Sequence, residues 1–162
     1  MKGDIVEELG YMALGTRLKR ISDRMSHSSR MMYKTLGIDF EPNWYLVLSI
    51  IEKKPGVSVM EVANSMGFAH QTIMVMTNKM VKKEYLKMSK DQIDKRKTIF
   101  HLTEKAIEIL PRIKQICEAG RKVILDVLNE DIILMKHIRV LEQNLDESSF
   151  GERIIDKLNE EE

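Results

Sequence analysis

The stretch SVMEVANSMGFAHQTIMVMTNKMVKKEYL, residues Ser58–Leu86, decides the reading of this chain. Ser58 with Glu61 three residues on is a capping-box pattern, and it predicts a helix from Val59 to Met66. Gly67 fits its C-terminal stop. A second helix follows at about Ala69–Lys83. Its Ile73, Met76 and Met80 share one face at helical spacing. Opposite them lie Gln71, Val75, Asn78, Lys79 and Lys82, with His70, Thr72 and Met74 on the flanks. The next stretch, EYLKMSKDQIDKRKTIFHL, holds two β-prone runs, Tyr85–Met88 and Thr98–Leu102. They predict a hairpin with a loop of about nine residues. A short helix, a glycine turn, a second helix and a basic hairpin make a winged helix-turn-helix.

That order suits DNA. The second helix fits a major groove, and a basic hairpin can reach the adjacent minor groove or its phosphates. Gln71 matches the adenine edge in two places, and Asn78 has the same capability. Met74 and Val75 can pack on thymine methyls, while Lys79 and Lys82 suit phosphates. The bland alternative is a solvated surface helix with two incidental apolar residues. The hairpin directly after it favours the DNA reading.

Charge supports the same region. The 162-residue chain carries a net charge of only +1. Residues 79–97 nevertheless hold eight basic and three acidic side chains, a local +5, whereas residues 103–162 hold nine basic and fourteen acidic, a local −5. A basic stripe of this kind is the footprint of a nucleic-acid surface, although solvated lysines also produce it.

Outside the centre, helical periodicity dominates. Residues 4–34 predict one long helix, with Leu14, Leu18, Ile21 and Met25 on one face. LGIDFEP ends it, with Gly37 and Pro42. Tyr45, Val47, Leu48 and Ile51 predict a short buried helix over Asn43–Lys53, stopped by KKPG. Thr103 caps a helix expected over Glu104–Leu128, with Ile107, Leu110, Ile113, Cys117 and Ile124 inward. Pro111 within it is expected to bend the helix or leave a carbonyl unpaired. Asn129 is expected to open another helix, on Leu134, Ile138, Leu141 and Leu145. Ser149 with Glu152 repeats the capping-box pattern before Phe150, Ile154 and Leu158. The apolar faces of segments 4–34, 104–128 and 130–145 exceed what one small winged core can cover, so a homodimer is expected.

Three quoted pieces, PNWYLVLSIIEKKPGVSVMEVANSMG, HQTIMVMTNKMVKKEYL and DKRKTIFHLTEKA, resemble the MarR (multiple-antibiotic-resistance regulator) family of bacterial transcription factors. The most specific piece is Asp94-Lys95-Arg96, with Thr103-Glu104-Lys105 beginning seven residues after Arg96. The resemblance implies a mainly α fold. A winged helix-turn-helix DNA-binding domain with a two-stranded hairpin wing would span residues 42–103. Residues 1–36 and 104–162 would form a helical dimerisation region. It also implies a homodimer reading a pseudo-palindromic operator, more often as repressor. Arg96 would work in the minor groove with Asp94 orienting it or bracing the wing, and Lys90, Lys95 and Lys97 would neutralise phosphates. A small hydrophobic or aromatic effector would sit near Tyr33, Trp44 and Tyr45. The chain departs from the family pattern at Met74-Val75, where a Ser/Thr-Arg pair is usual. It departs again at Glu84 and Ala106, where glycine is usual. The first departure motivates an alternative, a winged helix protein-interaction module that has lost DNA binding.

Other chemistries find little support. His27, His70, His101 and His137 form no close ligand pair, and a single cysteine makes no metal cluster, so no metal or cofactor is expected. Cys117 reads as a buried structural thiol rather than a redox sensor. The twelve methionines read as core filling. No phosphate loop or nucleophile elbow is present, so an enzyme is not expected. Without an apolar run long enough for a membrane span or a signal peptide, a cytoplasmic protein is expected.

Overall fold

The computed structural model describes residues 3–160. The helices are α1 (Ile5–Glu8), α2 (Leu14–Thr35), α3 (Trp44–Lys53), α4 (Val59–Met66), α5 (His70–Lys82), α6 (Glu104–Val127), α7 (Ile133–Glu147) and α8 (Phe150–Glu160). The strands are β1 (Val57–Ser58), β2 (Leu86–Lys90) and β3 (Thr98–Leu102). None of the described helices is long and apolar enough to cross a membrane. The chain divides into two compact units, one ending at Ile113 and one beginning at Lys114.

In the first unit the N-terminal helix is not continuous. Gly10 takes a left-handed φ of 54°, and a 3-10 turn over Gly10–Ala13 separates α1 from α2. The apolar periodicity survives the break, which is why the sequence reads as one helix. Asp4 caps α1 by accepting from the Val6 N–H at 3.1 Å.

The winged core forms where the sequence places it. The Ser58 capping box is complete: its hydroxyl accepts from the Glu61 N–H at 3.3 Å, and the Glu61 carboxylate accepts from the Ser58 N–H at 2.9 Å. Gly67 ends α4 at φ 65°, a conformation that costs a side-chain-bearing residue about 1 kcal/mol or more. Val47, Leu48, Ile51, Val57, Val62, Ile73, Met80, Leu86 and Phe100 close the core. At roughly 1.5–3 kcal/mol for each large apolar side chain, this burial stabilises the unit. Beside it, Phe40 packs on Tyr33, Trp44 and Tyr85 with ring centroids 5.3–5.5 Å apart. The Tyr85 hydroxyl donates to the Asp39 carbonyl at 2.9 Å, and burial pushes its pKa up.

The two-stranded hairpin forms as expected from β2 and β3, and a third strand joins its sheet. Residues 57–58 add a short strand to β3, pairing Val57 with Phe100 and Ser58 with Ile99, and giving the order β1-β3-β2. Two residues carry no alternation to read, so this strand exists only through its partner. Glu84, just before β2, holds φ 60°. The structure therefore makes a left-handed turn at the position where the resemblance implies glycine.

Helix α6 starts in the first unit, where Thr103 accepts from the Ala106 N–H at 3.2 Å. Ala106, Leu110 and Ile113 are buried, while Ile107 and Ile124 of the expected inward face are exposed. The helix runs through Pro111, whose missing N–H deprives the Ile107 carbonyl of its bond. In the second unit Asn129 does not open α7. Asn129 and Glu130 both take left-handed φ values, 52° and 60°, and α7 begins at Ile133, whose N–H donates to Asp131 at 2.7 Å. Asn tolerates that conformation better than most residues, which makes it a turn residue here. Ser149 and Glu152 form the expected box at the start of α8. Cys117 is half-buried rather than enclosed, and burial raises its thiol pKa.

Candidate nucleic-acid interface

Helix α5 presents one buried and one open face. Ile73, Thr77 and Met80 are buried, and Met76 is half-buried. Thr77 belongs to the inward face, beyond the apolar positions that helical spacing picks out. Its hydroxyl donates to the Ile73 carbonyl at 2.9 Å, so a buried polar side chain is satisfied by its own helix. His70, Gln71, Thr72, Met74, Val75, Asn78, Lys79 and Lys82 are all open to solvent, with Met76 at their inner edge. No acidic side chain stands on this helix. Its open face therefore offers amides, hydroxyl, aliphatic surface and two ammonium groups.

The wing is built by two aspartates. Asp91 Oδ1 accepts from the Ile93 N–H at 2.9 Å and from the Asp94 N–H at 2.7 Å. These bonds, that from Asp94 first, hold its carboxyl below the usual range. Asp94 Oδ1 accepts from the Arg96 N–H at 3.1 Å and from its guanidinium Nε at 3.2 Å. The turn closes with Lys97 N–H to the Asp94 carbonyl at 2.8 Å and Asp91 N–H to the Lys97 carbonyl at 3.1 Å. The Arg96 side chain remains 93% exposed. Lys95 and Lys97 are exposed as well, while Lys90 reaches across the hairpin to Thr98 Oγ1 at 3.2 Å. Asp91 is a wing residue that spacing and charge do not single out. A signal was present, because Asp residues opening tight turns bond the backbone two and three residues on.

A cleft of about 220 Å³ lies against the inner edge of α5, bounded by Arg30, Glu41, Trp44, Thr72, Val75 and Lys79 among others. Arg30 approaches Glu41 at 3.7 Å. Of the three aromatic residues expected around an effector, Trp44 borders this cleft. Tyr33 is buried against Phe40, and Tyr45 is half-buried outside the lining.

The described residues contain no cluster of three metal-ligating side chains. Residues 38–97 match the model of the MarR family. No curated protein matches the chain in sequence. Solved structures match it in fold. A MarR protein from Peptoclostridium difficile is 20% identical, with 93% of each chain covered and a TM-score of 0.68. FabT from Streptococcus pneumoniae, solved in complex with DNA, is 21% identical over 85% of this chain and 98% of its own, with a TM-score of 0.63. The transcriptional regulator PcaV from Streptomyces coelicolor, solved with its natural ligand, is 18% identical over 84% of this chain and 96% of its own, also at 0.63. Residues 38–97 thus resemble the MarR family in sequence, and the chain shares the winged helix fold of solved MarR family proteins.

Proposed function

We propose that this chain is a DNA-binding transcriptional repressor that acts as a homodimer on a pseudo-palindromic operator. The observation that carries the reading is the open face of α5. Eight side chains there suit base edges and phosphates, and a basic hairpin follows in the same compact unit. In this reading residues 42–103 bind DNA and residues 1–36 and 104–162 hold the dimer together. Gln71, in the first turn of α5, enters the major groove, and Met74 and Val75 meet thymine methyls. Lys79, Lys82, Lys90, Lys95 and Lys97 neutralise phosphates. Arg96, aligned by Asp94, reaches the minor groove, where a narrow A·T-rich segment concentrates negative potential. The cleft beside α5 supports a small-molecule effector, because Thr72, Val75 and Lys79 of the reading helix border it. An occupant there changes the position of α5 and so the fit to the operator.

Selection of bound duplexes from a random pool, followed by sequencing, tests the reading. Enrichment of a two-fold symmetric site with half-sites about one helical turn apart is the expected result. Binding should also weaken by orders of magnitude between about 50 and 200 mM salt. Absence of any enriched sequence, with the protein folded, would favour the protein-interaction module instead.

A further inference from the structure

We propose that Ile93, at the tip of the wing, reads the minor groove as an apolar probe and rejects G·C pairs there. The inference rests on the DNA-binding reading above and adds to it a residue that sets specificity.

Ile93 is 98% exposed, the highest value among the exposed large apolar side chains. Single exposed apolar residues are common, so exposure alone decides nothing. The support under this one is what matters. Its N–H and that of Asp94 are both held by Asp91 Oδ1, and the bonds between Asp91, Asp94 and Lys97 close the turn on either side. The backbone is fixed, and the side chain projects from it. Around Ile93, the carboxylates that would repel DNA are engaged: Asp91 with backbone N–H groups, Asp94 with Arg96. Lys95, Arg96 and Lys97 remain exposed. The tip thus combines three cations with one aliphatic side chain. A single isoleucine is far too small for a protein-docking surface, which needs several hundred Å² per partner. It is the right size for a groove about 6 Å wide lined by phosphates.

The selectivity follows from what each base pair shows in that groove. A·T and T·A present only acceptors, which the Arg96 guanidinium can satisfy, whereas G·C adds the guanine N2 amine. An isoleucine seated on that amine strips its water and returns no acceptor, so a buried donor is left unpaired. Arg96 favours narrow grooves by electrostatics, and Ile93 adds an independent penalty against the amine itself.

The test uses the full chain and a duplex recovered by the selection above, with A·T, G·C or inosine·C pairs at the wing-contacted steps. Inosine is guanine without the N2 amine. The wild type should bind the G·C duplex about tenfold more weakly than the A·T duplex, and inosine·C should restore most of the loss. Ile93→Asn supplies an acceptor and keeps Arg96 and every charge. Its G·C penalty should fall to about twofold, with an unchanged salt slope. Ile93→Val should behave as the wild type. Because the residue is exposed, thermal unfolding of the variants should coincide with that of the wild type. An Ile93→Asn variant that keeps the full G·C penalty overturns the inference and leaves the DNA reading standing. A selection that enriches nothing removes the DNA reading and this inference together.

Discussion

The winged unit buries Val47, Leu48, Ile51, Val62, Ile73 and Phe100 almost completely, whereas α7 and α8 bury none of their residues. Both regions carry apolar side chains at helical spacing. In the winged unit three short helices and a sheet meet around one centre, so the faces cover one another. In α7 and α8, Leu134, Leu145, Phe150, Ile154 and Leu158 stay exposed. Periodicity announces a face to be buried and leaves open what buries it. One region completes its core within the chain; the other leaves its apolar face open, the face that the proposed dimer would cover.

The largest test of this contrast lies in the closed core. Phe100 is 1% exposed and pairs with both Val57 and Met88 across the sheet. Phe100→Ala should lower folding stability by about 3–5 kcal/mol. Denaturant unfolding should give that drop at every protein concentration, because the side chains that enclose Phe100 belong to its own chain. A drop that disappears at high concentration would mean the winged core also needs its partner.

Next comes the open region. Leu158→Asp on α8 should leave the winged unit folded and weaken dimerisation by about 2–3 kcal/mol, roughly a hundredfold. Sedimentation at falling concentration should show monomer where the wild type is still dimeric. An unchanged mass would remove α8 from the dimer interface and break the comparison.

A smaller effect separates two positions on α5. Gln71→Ala should cost about 1–3 kcal/mol of discrimination at one base pair and relax preference there. Lys82→Ala should weaken binding to all sequences alike and flatten the salt slope by about one unit. Measurement against single-base operator variants at two salt concentrations distinguishes them. A Lys82→Ala variant that changes base preference would mean that the helix lies in the groove the other way round.

The smallest effect is electrostatic. Lys54 donates to Glu61 at 2.7 Å, and together with the Ser58 N–H and hydroxyl it lowers the carboxyl pKa from 4.5 to about 2. A depressed carboxylate stabilises the fold above its unfolded pKa. That contribution should fade as pH drops from about 4.5 towards 2. The pair is largely solvated, so the effect should stay near or below about 1 kcal/mol. Glu61→Gln should flatten the pH dependence of the melting temperature in that window. An identical acid profile in the variant would place the titration elsewhere.

Helix starts were legible at the two capping boxes, Ser58 with Glu61 and Ser149 with Glu152. They misled where a left-handed residue reset the chain: Gly10 divides the first helix, and Asn129 closes a turn instead of opening α7. The candidate interface was legible in the same uneven way. The open residues of α5 follow from helical spacing, because one face must be outward. The roles of Asp91 and Ile93 did not emerge, since a loop has no period and its side-chain directions depend on bonds closed in three dimensions.

By itself, the sequence determined the apolar face that α5 turns inward, the capping-box starts at Ser58 and Ser149, and that basic charge gathers between Lys79 and Lys97. These are local matters of spacing, capping and composition. Only the tertiary structure decided that residues 57–58 become a strand, because a two-residue strand exists solely by bonding to β3. It alone decided that Glu84 takes a left-handed turn, imposed on a side chain that does not favour it. It decided, too, that the wing loop holds its one aliphatic side chain, Ile93, out into solvent, through hydrogen bonds whose partners are set by how the loop closes.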